Sequence, residues 1–387
     1  MTFTAAVSGA SGYAGGEVLR LLMEHPQVEI GTVAAHSSAG QRLGSLQPHL
    51  HGLADRIITD SSLEQLAGHD IVVLALPHGA SAEIAAQLPE STIVIDAAAD
   101  HRLESAEAWE QFYGSAHAGT WPYGLPEMIV APDGTRQRTR LAEASRIAIP
   151  GCYPTGSQLA LAPLAAAGQI ELQDIVIVAA SGTSGAGRSL KPHLLGAEVM
   201  GGMSPYGVGG VHRHTPEIEQ GLGWASGRSD VAVSFTPTLA PMPRGILTTA
   251  TARIAEGADA QSVREALEEA YRDEPFIHLL PEGQWPTTQA VLGSNHVQIQ
   301  VALDPRVGRV IVSCALDNLV KGTAGGAVQS MNIALGLPEM IVAPDGTRQR
   351  TRLAKASRIA IPGAIPPAPS WPWLRWPRPG RSSCRTS

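Results

Sequence analysis

The chain has 387 residues, a net charge of -7 and 44% hydrophobic content. That length allows two domains with full cores, and the acidic balance leaves no broad basic surface for nucleic acid. No apolar run spans a membrane, the start Met1-Thr2-Phe3-Thr4 is no secretory signal, and the three cysteines fit neither a disulfide framework nor a zinc site, so a cytoplasmic protein without metal is expected.

The first apolar run, Phe3 to Ser8, reads as a strand and is followed by Gly-Ala-Ser-Gly-Tyr-Ala-Gly-Gly-Glu at 9–17. Leucines at helical spacing come next. Strand, glycine turn and helix is the context of a dinucleotide fingerprint, here spaced GxxGxxG. Glycines let the backbone approach a pyrophosphate, and the helix start offers unpaired N–H groups. Gly9, Ser11, Gly12, Tyr13 and Ala14 are therefore candidate cofactor contacts. The second strand ends near Ala35, before His-Ser-Ser-Ala-Gly-Gln-Arg at 36–42. An acidic residue here would take the ribose 2'-hydroxyl of NAD. None is present, and Ser37, Ser38 and Arg42 point to the 2'-phosphate of NADP(H). Further strands are expected at 70–76 and 92–95, with Pro77 and His78 at a strand end where ligands gather.

A strand over 147–149 is broken by Pro150-Gly151, and Cys152-Tyr153-Pro154-Thr155 leads into a helical run. A cysteine at a helix start meets the positive end of the dipole, which favours the reactive thiolate. The plainer reading is a buried structural cysteine. Cys314, inside an apolar strand at 310–316, fits that reading. A thiol acting on an acyl group needs a proton partner and a cradle for anions. Val-His-Arg-His-Thr-Pro-Glu at 211–217 is the densest source. His212 and His214 point oppositely in an extended segment, so one faces the sulfur. Thr215 reads as the cap of the next helix, with Pro216 in its first turn. Arg188, closing a Ser/Gly-rich loop from 181, and Arg244 are candidate anion contacts.

Four stretches together resemble the N-acetyl-gamma-glutamyl-phosphate reductases, relatives of aspartate-semialdehyde dehydrogenase. They are the glycine turn at 9–17, Pro-Gly-Cys-Tyr-Pro-Thr at 150–155, His-Arg-His-Thr-Pro-Glu at 212–217 and Asp-Asn-Leu-Val-Lys-Gly-Thr-Ala-Gly-Gly-Ala at 317–327. The resemblance runs from residue 3 to about 339. It implies an α/β chain: an N-terminal Rossmann NADP-binding domain at 1–150, completed by about 316–336, and an α+β mixed-sheet catalytic and dimerisation domain at 151–315. It implies reduction of N-acetyl-glutamyl 5-phosphate to the semialdehyde, in arginine biosynthesis, through a Cys152 thioester. By the same resemblance His212 and His214 divide the acid/base role and a substrate contact, His212 taken as the acid/base with the reverse order open; Arg188, Arg244 and Glu217 contact substrate, and Asn318 holds the nicotinamide. A homo-oligomer, dimer or tetramer, is implied. A related acyl phosphate as substrate, and a non-catalytic NADP-binding regulator, are the competing readings.

The last part of the chain reads differently. Residues 124–151 recur at 336–363 with one change, Glu143 against Lys355. The first copy continues into Cys152, the second into Ala364-Ile365-Pro366-Pro367. Shifting the frame of the first copy by one base at Cys152 yields the second copy's continuation to Ser387. Residues 340–387 are thus expected to be a duplicated, frameshifted copy. The gene should show matching codons with one base lost at Gly363.

Overall fold

The computed structural model describes residues 2–131 and 133–339; the duplicated tail read above lies outside the described residues. The first five strands are parallel: β1 (Phe3–Ser8), β2 (Val28–Ala34), β3 (Ile71–Leu74), β4 (Ile93–Asp96) and β5 (Arg146–Ala148), in the order β2-β1-β3-β4-β5. Strand β3, Ile-Val-Val-Leu, is buried at every position, as a strand covered on both faces must be. Helix α1 (Tyr13–Met23) connects β1 to β2 and buries Val18, Leu19 and Leu22. The strand order reverses between β1 and β3, and the crevice at such a switch point is where ligands bind in these sheets.

Seven strands make a second, mixed sheet: β6 (Ile175–Gly182), β7 (Ser204–Pro205), β8 (Val233–Ala240), β9 (Ile246–Arg253), β10 (Ile277–Leu279), β11 (Val297–Asp304) and β12 (Arg309–Leu316). Their order is β10-β11-β12-β9-β6-β8-β7. Alternation sets the buried face: Ile175, Ile177 and Ala179 of β6 lie beside Ile246, Ala250 and Ala252 of β9. Helix α2 (Cys152–Ala166) packs on that face with α3 (Thr215–Ser226) and α4 (Ala260–Tyr271).

Helix α2 is buried from Tyr153 to Ala165, so its apolar residues go all the way round and leave no amphipathic stripe. Pro163 lacks the N–H that Leu159 O would accept in the helix. The Tyr271 hydroxyl of α4 donates to that carbonyl at 2.5 Å instead. Burial of Leu159, Leu161 and Leu164 contributes on the order of 2 kcal/mol each, and holds the helix that carries Cys152. The chain then returns through a π turn (Val320–Ala324) into α5 (Gly325–Ala334), whose Ala327, Val328 and Met331 share a core with Val7 of β1 and with Val18 and Leu19 of α1. Among the described residues no helix is long and apolar enough to cross a membrane.

Candidate active site

The glycine turn sits at the switch point. Gly9 has φ +88°, and a Cβ there would stand 2.1 Å from Ala75 O at the end of β3. A Cβ on Gly15 would stand 2.2 Å from Gly9 O. The turn therefore excludes side chains and lies bare at the start of α1, whose cap Gly12 makes no side-chain cap bond. That is the cradle a pyrophosphate requires, and the residues present fit a dinucleotide. Gln47, which the sequence did not single out, fixes the turn by donating to Ala10 O at 3.0 Å and Gly12 O at 2.7 Å. Ser11, Tyr13 and Ala14 frame the cradle. Ser37 and Ser38 stand on a 3-10 turn directly after β2, and Pro77 is exposed beyond β3.

A cleft of about 620 Å³ opens beside α1, lined by Tyr13, Gln47, Ser184, Arg188, Arg244 and Leu319 among others. Arg188 lies over Tyr13 and donates to Ser11 O at 3.0 Å and Leu46 O at 2.8 Å. It stands on the glycine-turn side and not among the residues lining the Cys152 cavity. Arg244 pairs with Glu17 at 2.8 Å and Asp317 at 3.2 Å, so two carboxylates already occupy its charge. The buried Asn318 amide joins two loops, accepting from Gly245 N at 2.7 Å and donating to Ser184 Oγ at 2.9 Å.

Cys152 is the first residue of α2, after β5 and the cap Gly151. The approach to it is clamped from below. Arg102 donates to Ile149 O at 2.6 Å, and Gly151 N donates to Glu217 Oε1 at 2.8 Å. The two clamps are paired to each other at 3.4 Å and both are buried. Tyr123 donates to Glu217 at 2.7 Å, and Gln158 donates to Glu217 O at 2.8 Å. Glu217, expected to touch substrate, is instead turned inward. Arg102, Tyr123 and Gln158 escaped the sequence reading because each is a lone polar residue with no local motif.

Burial pushes the Cys152 thiol up to about 11; Arg102 and the Tyr153 backbone pull it down without offsetting burial. Desolvation thus opposes the thiolate that the helix start favours, and burial favours the thiol form. The displacement from the ordinary value corresponds to roughly 3 kcal/mol, against about 0.3–1 kcal/mol for a charge at a helix end. Such a thiol needs a base.

His214 lies nearest the approach: a Cβ on Gly151 would meet its Nε2 at 2.5 Å. Its Nδ1 is sealed from solvent without a partner. It, and not Thr215, is the cap residue of α3. His212 accepts the His214 backbone N–H on Nδ1 at 3.2 Å, so its neutral ring carries the proton on Nε2. Its ring packs edge-on to Tyr153, Tyr206, Phe235 and His214. Both histidines line a cavity of about 350 Å³ with Cys152, His78, Ser181 and Arg213. Arg213 stacks over Tyr113 at 5.4 Å, and among the described residues it has no carboxylate partner. It was passed over as the residue between two histidines.

Burial holds both rings neutral. It pushes His212 from 6.5 down to about 4, with Arg213 a lesser cause, and His214 well below its ordinary value, with His212 and Arg102 adding to the effect. The unfolded chain takes up these protons below pH 6.5, whereas folded His212 does so only near 4, so stability present above pH 6.5 is lost as pH falls through that window. Melting followed by circular dichroism should show it, with His212→Asn flattening the decline. An identical decline in that variant would contradict the assignment.

Comparison with known proteins gives these features a context. Residues 4–133 match the family described as "Semialdehyde dehydrogenase, NAD binding domain", and residues 152–318 match "Semialdehyde dehydrogenase, dimerisation domain". The N-acetyl-gamma-glutamyl-phosphate reductase of Micrococcus luteus is 70% identical over 342 residues, covering 88% of this chain and 97% of the relative. That of Arthrobacter sp. (strain FB24) is 69% identical over 339 residues, with the same coverage. The chain belongs to the N-acetyl-gamma-glutamyl-phosphate reductase family. Its fold also resembles aspartate semialdehyde dehydrogenase II from Vibrio cholerae, solved with ASA, at TM-score 0.62 and 16% identity, covering 87% of this chain and 99% of that one. The aspartate semialdehyde dehydrogenase with NADP from Candida albicans gives TM-score 0.61 at 18% identity, covering 86% and 98%. The fold is thus α/β, a nicotinamide-cofactor domain joined to a dimerisation domain, and the cradle above belongs to the first of these.

Proposed function

We propose that this chain reduces N-acetyl-L-glutamyl 5-phosphate to N-acetyl-L-glutamate 5-semialdehyde, releasing phosphate, with Cys152 as the nucleophile and NADPH as the reductant. The observation that carries this reading is the cavity itself. A cysteine at the first position of a buried helix shares it with two histidines that burial holds neutral and with Arg213, which has no carboxylate partner among the described residues.

His214, against Gly151, accepts the thiol proton as the sulfur attacks the acyl carbon. Phosphate leaves with that proton and a thioester remains on Cys152. The N–H groups opening α2 stabilise the oxyanion. A reduced nicotinamide held by the glycine turn and Asn318 would supply the hydride needed at the thioester. The oxyanion so formed restores its carbonyl, the aldehyde departs, and the sulfur regains a proton from solvent by way of His214. His212 presents Nε2–H to the substrate, and Arg213 takes one of its anionic groups. Of the two orders the resemblance leaves open, this reading gives the acid/base role to His214, and Arg213 replaces Arg188 and Arg244. Glu217 acts through the backbone it holds.

Gly9, Ser11, Gly12, Tyr13 and Ala14 would hold the pyrophosphate side of the cofactor, with Pro77 along its path. Ser37 and Ser38 favour a 2'-phosphate because no carboxylate follows β2. Asn318, whose amide already bridges two loops at the larger cleft, would meet the nicotinamide by exchanging one of those bonds. A cytoplasmic dimer or tetramer is the matching assembly.

The test is NADP+ reduction by N-acetyl-glutamate semialdehyde. It should require inorganic phosphate, lose more in kcat for His214→Asn, and lose more in KM for His212→Asn. No phosphate-dependent turnover would overturn the reaction assigned.

A further inference from the structure

The motif Asp-Asn-Leu-Val-Lys-Gly at 317–322 contains a buried cation that the mechanism leaves unused. Lys321 has a fully buried side chain. Its Nζ donates to Glu127 Oε1 at 2.6 Å and to Gln329 Oε1 at 2.8 Å, and it lies 5.7 Å from the Phe276 ring centroid. Gln329 in turn donates to the same Glu127 oxygen at 2.8 Å. Burying an ion pair gives little net stability, because desolvation offsets the attraction; its best-attested use is to fix a register.

A register needs fixing here. Lys321 lies in the π turn Val320–Ala324, where Gly322 N bonds Asp317 O at 3.0 Å and Ala324 N bonds Leu319 O at 2.9 Å. Such turns are rare and concentrate at functional sites. The next residue faces the nucleophile. A Cβ on Gly322 would stand 2.8 Å from Cys152 Cβ and 3.2 Å from its Cα. Only a glycine fits there, and a slip of one residue would drive Lys321 or Thr323 into that space.

We propose that Lys321 is a positioning residue for Cys152: its buried pairing with Glu127 and Gln329 sets the rotation of the π turn, so that Gly322 seats the nucleophile. This rests on the reading of Cys152 as nucleophile. The charge-neutral double variant Glu127→Gln/Lys321→Met leaves no buried charge uncompensated. It should melt close to the wild type, yet lose roughly tenfold to a hundredfold in kcat with KM nearly unchanged, since small misplacements of reacting groups cost that much. The pH profile of Cys152 alkylation by iodoacetamide should shift with it. Gly322→Ala leaves the ion pair intact and should give the same kcat loss and the same altered profile. A folded double variant, or Gly322→Ala, with wild-type kcat and a wild-type profile would overturn the proposal. The underlying reading fails in a different way: wild-type protein alkylated at Cys152 would stay active.

Discussion

Replacing Cys152 with serine should reduce acyl-phosphate turnover by at least about 10³-fold, or roughly 4 kcal/mol of transition-state stabilisation. The size of the loss follows from the site. Burial already pushes the thiol up to about 11 despite Arg102 and the helix start. A hydroxyl is a far weaker acid, so the elements that barely support a thiolate cannot ionise serine. The fold should not suffer, because serine is nearly isosteric and α2 is held by the residues from Tyr153 to Ala165. NADPH affinity, read by fluorescence, should also persist, since the glycine turn lies on another strand end. A serine variant with wild-type turnover would refute a covalent route.

Removing the Glu217 carboxylate should cost about 3–5 kcal/mol of folding stability, because it strands Arg102 as a buried cation. Glu217→Gln keeps the volume, but one terminal atom becomes a donor. That atom must face either Gly151 N and Tyr123 Oη or the Arg102 guanidinium, all of which are donors to the present carboxylate. Arg102→Met alone strands the carboxylate to a similar extent. The double change Arg102→Met/Glu217→Gln should recover much of the stability, giving a coupling of a few kcal/mol in a double-mutant cycle. It should not recover kcat, because the tether from Arg102 to Ile149 O is gone. Additive losses in denaturant unfolding would show that the pair does not act as a unit.

What could be read from the sequence divides along physical lines. The glycine turn was legible because the constraint at Gly15 is local: a Cβ there would meet the backbone of Gly9, six residues earlier. Cys152 was legible because strand, Pro-Gly break and helix start are adjacent in the chain. Long-range pairings were not. The Arg102–Glu217 clamp spans 115 positions, and nothing near either residue announces the other. Arg188 and Arg244 stand out in the sequence as loop arginines, whereas Arg213 is hidden between two histidines. Tertiary partners separate them: backbone carbonyls for Arg188, Glu17 and Asp317 for Arg244, and an aromatic face for Arg213. The acidity of Cys152 divides in the same way. A helix-end effect is visible in sequence, but the larger desolvation depends on burial that only the packed structure fixes.

The most direct measurement is mass spectrometry of the Cys152 peptide after mixing the protein with N-acetyl-glutamate semialdehyde and the oxidised nicotinamide cofactor, with phosphate left out. Oxidation then stops at the thioester for want of the acceptor that releases it. An N-acetylglutamyl group on Cys152, removed by hydroxylamine or by added phosphate and absent from Cys152→Ser, is the expected result. An unmodified Cys152 in protein that turns over normally once phosphate is added, together with an active serine variant, would contradict it.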